Sequence, residues 1–532
     1  MSVRWFWFAI SIAFAACGGG GGGGSDPGGS VDVLETPAPD TDGTKDIAGA
    51  ETAADLETAA EQGVLDGSTS DLDPGGMDVD WSSLPRLPAG RSFQTRYAAA
   101  AAVRDITPDH DVFMGGFGFC GGDEKLCRKS EVVHDPLKVA VAAIADTKTG
   151  EVVIFAGVDS VGLFLWDMRL MHEAVQRRLY EEYGVYFEGT RLMIGASHSH
   201  AAPDTAGLWG PMFGVPRDEA YIGYLRDQTV AAAAEAFGAL EDATLTWAKG
   251  SSPNATDGSE PVVKDEDLFV VRATRPDGSP IFTLSRWSSH PTAYGSRNNG
   301  LSSDWVGPFR KRMEAEFGGI AVFLNGAVGG TYPDRPVECG LAEEDFPDGW
   351  KDPDLSADDF MKVTCTGHEV AENAILAMQE PKPVAETGVE FHHSLFGFYP
   401  SNATLLLAAQ VAQVPFAWGD PDALLSDDPP DMHTEFSLAR VGDLTFLTAP
   451  GEAFPAFAES AKAVLAEAGL PNPIVLGLTQ DWLGYLLTEE QWKDQKLSYH
   501  QGLSPGKKVL PAYLEKLREI LGLSVSGART GS

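Results

Sequence analysis

The chain has 532 residues, a formal net charge of −38 and a hydrophobic fraction of 43%. This length allows one large buried core or two fused cores, and the composition is ordinary for a globular protein. The acidic excess repels phosphate groups, so it argues against a nucleic-acid partner.

The first 16 residues have the features of an export signal. Arg4 precedes an almost wholly apolar run, Trp5 to Ala16, which is too short to span a bilayer as a mature helix. Cys17 follows, as in a bacterial lipoprotein signal, where this cysteine becomes the lipidated N-terminus. The alternative is a plain secretory signal followed by an unrelated cysteine. We expect a signal peptide at 1–16 and an exported protein anchored through Cys17 in the cell envelope, at the outer membrane.

Residues 17–83 have the composition of a tether. A glycine run at 18–24 is followed by an acidic stretch rich in alanine, threonine and aspartate, with few large apolar residues. Such a segment cannot bury enough apolar surface to fold, so we expect disorder. Residues 84–525 are predicted to form a single large domain.

Within this domain, short apolar runs alternate with longer periodic runs, which predicts the α/β (mixed α+β) fold class, with mixed sheets layered with helices. The predicted strands are 137–144, 152–158, 191–196, 243–247, 268–273, 281–287, 320–324, 436–441, 444–448 and 474–478. The predicted helices are 166–183, 218–240, 304–317, 359–378, 456–468 and 511–521. Residues 334–357 are predicted to form a long loop.

Four cysteines remain after Cys17, and they form two pairs that are close in sequence. Cys120 lies near Cys127, and Cys339 lies near Cys365. In an exported chain an even count favours two disulfides with this local pairing, although other connectivities are possible. A zinc site of four cysteines is disfavoured because the Cys-x-x-Cys spacing does not occur.

Two histidines, His198 and His200, follow the apolar run 192–196 and precede Pro203. In an extended segment residues i and i+2 point to the same side, so we expect both imidazoles to face one site. His290 also ends an apolar run and is followed by proline, and Glu452 lies just past another predicted strand. Histidine and carboxylate side chains at converging strand ends favour a metal-centred hydrolase. The alternatives are ordinary polar groups at strand ends and, for Glu452, a charge at a helix N-terminus.

Five segments of the chain together carry a family resemblance. In chain order they are Asp105-Ile106-Thr107-Pro108 with Met114-Gly115-Gly116-Phe117, Ser197-His198-Ser199-His200 followed by Pro203, His290-Pro291-Thr292 with Ser302-Ser303-Asp304, Pro450-Gly451-Glu452, and Tyr485 to Trp492 with Tyr499-His500-Gln501-Gly502. In these segments and their order the sequence resembles the neutral/alkaline (non-lysosomal) ceramidase family of zinc-dependent amidases, in its catalytic domain only.

The resemblance implies one zinc ion and a set of site residues. The implied zinc ligands are His198, His290, Glu452 and Tyr485. The implied catalytic residues are His200, which would hydrogen-bond the substrate carbonyl, Gly116, which would line the pocket floor, and Tyr499, which would contact the polar head of the substrate. For Tyr485 the alternative is an amphipathic core tyrosine.

The sequence departs from the family on the substrate side. Tyr332, with Thr331 beside it, stands where the family has a serine, and no equivalent of its substrate-binding arginine occurs around residues 254–256. Ser197 is a possible substitute nucleophile, but no Gly-x-Ser-x-Gly turn surrounds it.

We therefore expect a zinc-dependent hydrolase that cleaves an N-acyl amide, ceramide-like or related, by zinc-activated water. The alternatives are a non-catalytic zinc-containing binding protein on the same scaffold and a zinc hydrolase of a non-lipid amide or ester.

Overall fold

The structure is a computed structural model that describes residues 83–118, 120, 124–211, 217–256, 262–333, 339–340, 355–402, 405 and 432–524. The predicted signal peptide, with Cys17, and all but the last residue of the predicted tether lie outside these residues, so both stay predictions. Most of the predicted loop 334–357 also lies outside them. Within the described ranges, no helix is both long and apolar enough to cross a membrane.

The strands and helices alternate along the chain. The strands are β1 (Tyr97–Asp105), β2 (Val132–Val133), β3 (Lys138–Asp146), β4 (Val152–Val158), β5 (Leu192–Ala196), β6 (Glu241–Ser251), β7 (Asn254–Thr256), β8 (Asp267–Thr274), β9 (Pro280–Trp287), β10 (Gly300–Leu301), β11 (Ile320–Asn325), β12 (Thr331–Pro333), β13 (Lys382–Pro383), β14 (Val389–Phe398), β15 (Met432–Val441), β16 (Leu444–Thr448), β17 (Glu452–Ala453), β18 (Pro473–Leu476) and β19 (Tyr485–Leu486). The helices are α1 (Leu165–Tyr183), α2 (Glu219–Gly238), α3 (Val306–Phe317), α4 (Ala357–Ala377), α5 (Pro455–Glu467), α6 (Glu489–Lys493), α7 (Ser498–Gly502) and α8 (Val509–Ile520). The predicted strands and helices are all present.

Two sheets form the centre of the domain. The larger has the strand order β11-β9-β8-β6-β1-β3-β4-β5, with β13 paired to β6, and the smaller has the order β14-β15-β16-β18. Both sheets contribute to one buried cluster, in which the Phe155 and Phe446 rings lie 4.8 Å apart. Helices cover the outer faces: α1 and α2 pack on one part of the larger sheet, α3 and α4 on another, and α5 and α8 on the smaller sheet. The predicted fold class is confirmed.

Three βαβ crossovers orient the strand ends that matter for the site. Helix α1 connects the parallel neighbours β4 and β5, α3 connects β9 and β11, and α5 connects β16 and β18. In such units polar groups and ligands collect beyond the carboxyl ends of the parallel strands. His198 follows β5, His290 follows β9 and Glu452 follows β16, so all three lie at such ends.

Two disulfides join the cysteine pairs predicted from sequence proximity, Cys120 with Cys127 and Cys339 with Cys365. The first closes a loop directly before Arg128. The second connects a segment after β12 to α4. Neither pair is available as a set of metal ligands.

Candidate metal centre and pocket

The His198 segment leaves the sheet before the first histidine. Strand β5 ends at Ala196, and His198 has a φ of +69°, in the left-handed region that a histidine rarely adopts. The backbone N–H groups of Ser197 and His198 donate to Val158 and Ser160, and these bonds hold the turn against the end of β4. The expected extended geometry is therefore wrong. The two imidazoles do converge, with their ring centroids 4.8 Å apart, but a left-handed turn brings them together.

His290 is fixed by the segment that begins β12. Its Nδ1 lies 2.8 Å from the Thr331 carbonyl oxygen, and its backbone N–H donates to the same oxygen at 3.1 Å. The indole N–H of Trp305 donates to the His290 carbonyl at 3.1 Å. The Tyr332 ring stacks on the imidazole at a centroid distance of 5.1 Å. These contacts leave Nε2 as the free edge of the ring.

Glu452 and Tyr485 lie side by side because β17 and β19 pair in parallel with these two residues in register. The Glu452 backbone N–H donates to the Gly484 carbonyl at 2.9 Å. Glu452 Oε2 lies 3.3 Å from His198 Nε2 and 3.3 Å from His290 Nε2. One carboxylate oxygen and two imidazole nitrogens from three separate crossovers thus face one point.

The chemistry of this cluster fits a zinc site. His290 Nε2 and Glu452 Oε2 are buried, and neither forms a hydrogen bond within the described structure. In His198 and His290 the Nδ1 atom donates a hydrogen bond to a backbone carbonyl, that of Val161 for His198 and that of Thr331 for His290. This is the usual arrangement of zinc-ligating histidines, since the carbonyl fixes the tautomer and leaves the Nε2 lone pair for the metal.

His200 differs from the other two histidines. Ring nitrogens of all three lie within 4.8 Å of one another, and His200 Nε2 lies 3.3 Å from His198 Nε2. However, His200 Nδ1 is buried without a hydrogen-bond partner in the described structure. Because no carbonyl fixes its tautomer as a ligand, His200 fits a hydrogen-bonding role better than a metal-ligand role.

Burial and mutual proximity set the charges of the cluster. Burial opposes ionisation of Glu452, but the His198 and His290 imidazoles outweigh it and hold the pKa of Glu452 well below its usual value. Burial and the same two histidines hold the pKa of His200 well below its usual value, so its imidazole is neutral. Burial and the Glu452 carboxylate raise the pKa of Tyr485 well above its usual value, so its phenol is protonated. The site therefore combines an ionised Glu452 with a neutral His200 and a protonated Tyr485.

An apolar pocket of about 80 Å³ opens onto the cluster. Its polar edge contains His198, His200, Glu452 and Tyr485, and Tyr499 lies at the rim with 38% of its surface exposed. The apolar wall consists of Val161, Phe164, Leu208, Trp209, Leu405, Trp482, Leu483 and Leu503. Every residue predicted for the site except His290 lines this pocket, and the His290 ring centroid lies 4.8 Å from that of His198.

Gly116 forms the floor beneath His200. It has a φ of +104°, and a Cβ on it would lie 2.2 Å from His200 Cγ. Both the backbone conformation and the close approach of the imidazole therefore require glycine.

We expect Gly116→Ala to displace the His200 ring. If the chain is the hydrolase that the sequence resemblance implies, its turnover should fall by about 10²-fold, the usual effect of misplacing one transition-state donor. Zinc content should not change, because the three atoms nearest to a Cβ on Gly116 all belong to His200 and not to a predicted metal ligand. Gly118→Ala is the matched control, since a Cβ at Gly118 has no neighbour within 4 Å. Equal turnover in the two variants would contradict this role of Gly116.

The position of the family's serine does not supply a nucleophile here. Thr331 Oγ1 donates to the Val328 carbonyl at 2.9 Å, and the Tyr332 ring is stacked on His290. Ser197 Oγ is buried and has no hydrogen-bond partner among the described residues, so no general base activates it. In the described part of the 254–256 region, Asn254 is buried and donates to the Ser288 and Asp265 carbonyls.

Two side chains that contact the site were not found from the sequence. The Trp482 indole N–H donates to Glu452 Oε1 at 3.1 Å. Arg128 donates to the carbonyls of Gly115 at 3.1 Å and His200 at 2.9 Å, and burial lowers its pKa to about 10. Neither follows a periodic pattern or a metal-ligand spacing, so only their position after the chain folds identifies them.

Comparison with known proteins identifies the fold. No protein-family model and no curated protein matches the sequence. The structure of neutral ceramidase from Pseudomonas aeruginosa matches with a TM-score of 0.61 over 82% of this chain and 77% of that chain, at 16% identity. A structure of a ceramidase complexed with C2 matches over the same shares with a TM-score of 0.60 at 15% identity. The domain therefore has a ceramidase-like mixed α/β fold.

Proposed function

We propose that this chain is a zinc-dependent hydrolase that cleaves the amide bond of an N-acyl substrate, a ceramide-like lipid or a related amide. The observation that carries the proposal is the convergence of two imidazoles, each held by a carbonyl, with a carboxylate oxygen that has no hydrogen bond to any described residue, at the polar end of an apolar pocket. The ceramidase-like fold supports the choice of an amide.

His198, His290 and Glu452 would hold the metal, with Tyr485 as a fourth, weaker ligand. A bound Zn²⁺ would supply Lewis-acid activation of a water molecule and of the scissile carbonyl. His200, neutral because of burial and its neighbours, donates a hydrogen bond to the carbonyl oxygen as negative charge develops on it. Tyr485, protonated because of burial and the Glu452 carboxylate, can give its phenolic proton to the leaving amine and regain a proton from the attacking water.

The pocket determines which part of the substrate lies where. Phe164, Trp209 and Trp482 form an apolar wall suited to the acyl chain, whose burial contributes roughly 0.8 kcal/mol per methylene group. Tyr499 is half exposed at the rim, where its hydroxyl can contact the polar head group. The scissile carbonyl would then lie between these regions, beside His200.

Because Thr331 and Ser197 lack the geometry of a nucleophile, attack by water is favoured over an acyl-enzyme route. Water attack needs no protein hydroxyl, so the serine position can change without loss of the chemistry. At the position where the ceramidase family has its serine, the role of Tyr332 in this chain is then to stack on the His290 ring.

The substrate class is tested by measuring acid release from N-acyl sphingosines of different chain length, a fatty-acid ester and a peptidoglycan-derived amide. We expect cleavage of the N-acyl lipids, loss of cleavage with a chelator and recovery with added zinc. Cleavage of only the ester or the peptidoglycan amide would contradict the proposed substrate class, and zinc binding without any cleavage would favour a binding protein.

The separate role of His200 gives a second test. We expect His200→Ala to keep its zinc but to lower turnover by about 10²- to 10³-fold, the usual cost of removing one oxyanion donor. His110→Ala is the control, because this imidazole is exposed and pairs with Asp109 and Asp218, and none of these three residues lines the pocket. Loss of zinc from the His200 variant would show that His200 is itself a ligand.

A further inference from the structure

Trp482 contacts the carboxylate of Glu452 on the side away from the histidines. Its indole N–H donates to Oε1 at 3.1 Å, whereas Oε2 faces His198 and His290 at 3.3 Å from each Nε2. Only Oε1 has a hydrogen bond, and Oε2 is buried without one within the described structure. The two oxygens of Glu452 therefore have different partners.

The indole that makes this contact is held in place on several sides. Only 7% of Trp482 is exposed. The Phe164 and Trp209 rings stack against it, with interplanar angles of 20° and 5°. A Cβ on Gly162 would lie 2.1 Å from Cε3 of the indole, so this glycine allows the ring to lie directly against the backbone. Asp481 Oδ1 accepts from the Trp482 backbone N–H at 2.7 Å. The donor nitrogen thus has one position.

The segment that supports the indole also supports a histidine. Gly162 lies under Trp482, and the carbonyls of its two preceding residues accept from His198: Ser160 from the backbone N–H and Val161 from Nδ1. One short stretch of backbone after β4 therefore sets the position of His198 and of the side chain that orients Glu452.

We propose that Trp482 is a positioning residue that fixes the rotamer of Glu452, so that Oε2 points at the metal position. Through this hydrogen bond the apolar wall of the pocket supports the metal centre. This inference rests on the proposed function, because it assumes that Glu452 is a zinc ligand. An indole N–H suits the task, since it donates but cannot accept and does not titrate. It therefore fixes the carboxylate as an acceptor at any pH.

Removing the indole N–H should lower the affinity for zinc but have little effect on the unfolding temperature of the zinc-free protein. Outer partners that hydrogen-bond a metal ligand typically contribute 10- to 100-fold to metal affinity. Without the donor, Oε1 is a buried acceptor with no partner, and the carboxylate can turn toward other groups. The zinc dissociation constant of Trp482→Phe should therefore rise by about 10- to 100-fold.

The experiment measures zinc dissociation constants by competition with a chromogenic chelator for wild type, Trp482→Phe and Trp247→Phe. Trp247→Phe is the matched control, because it truncates another buried tryptophan, which does not line the pocket. We expect weaker zinc binding only in Trp482→Phe, with similar unfolding temperatures for the two zinc-free variants. Gly162→Ala is a second test, since it keeps the indole but displaces it, and its affinity should also fall.

Wild-type affinity in Trp482→Phe or in Gly162→Ala would overturn the inference, and so would an equal loss in Trp247→Phe. These outcomes differ from failure of the proposed function, in which the wild-type protein itself would bind no zinc.

Discussion

His290→Ala is expected to weaken zinc binding by more than about 100-fold. Removing only a hydrogen-bond partner of a metal ligand typically lowers metal affinity by 10- to 100-fold, and this substitution removes a ligand itself. Hydrolysis should fall below detection at the same time. Two remaining strong ligands, His198 and Glu452, rarely hold zinc. Metal analysis after dialysis and the rate of acid release measure the two effects.

The control for this variant is His392→Ala, which removes an exposed imidazole from β14. It should keep both zinc and activity. Unfolding temperatures of the zinc-free proteins separate loss of the ligand from loss of the fold. Full zinc occupancy in a folded His290→Ala protein would show that the site is assigned incorrectly.

Glu452→Gln is expected to abolish hydrolysis, whereas Tyr332→Phe and Thr331→Val should keep substantial activity. A neutral amide binds zinc weakly, and the substitution removes the negative charge of the ionised Glu452 carboxylate. Tyr332→Phe keeps the ring that stacks on His290, and Thr331→Val keeps the carbonyl that holds His290 Nδ1. Initial rates on one N-acyl substrate compare the three variants.

The same set of variants distinguishes attack by water from attack by a protein hydroxyl. Mass spectrometry of the wild-type protein during turnover should find no acyl group on the chain. An acyl group trapped on Thr331, Tyr332 or Ser197 would overturn the water mechanism, even with every metal ligand assigned correctly.

The elements were predictable from the sequence where apolar periodicity is strong, as in β4, β16 and α1. Strand β1 was not predicted, because its five consecutive alanines favour a helix by intrinsic propensity. It is a strand because it lies between β3 and β6 and both of its faces are buried: Ala98 packs under the helices, and Ala99 packs in the core between the sheets. That information is in the tertiary contacts and not in the local sequence.

In the candidate site too, some features could be predicted from the local sequence and others depend on tertiary contacts. Histidines and a glutamate just past apolar runs predicted which side chains converge, because parallel strands end at the same edge of a sheet. The left-handed turn at His198 was not predictable, since it depends on backbone bonds to Val158 and Ser160 on the neighbouring strand end. Trp482 was missed for a related reason: a tryptophan in a loop carries no sign that its N–H will meet a carboxylate.

Titration of metal-free protein with zinc, followed by the rate of acid release from an N-acyl lipid, tests the central claim most directly. A single centre at His198, His290 and Glu452 predicts that activity rises linearly and stops rising at one equivalent of zinc per chain. Activity that is undiminished in the metal-free protein, or that continues to rise well beyond one equivalent, would contradict a hydrolase built on this centre.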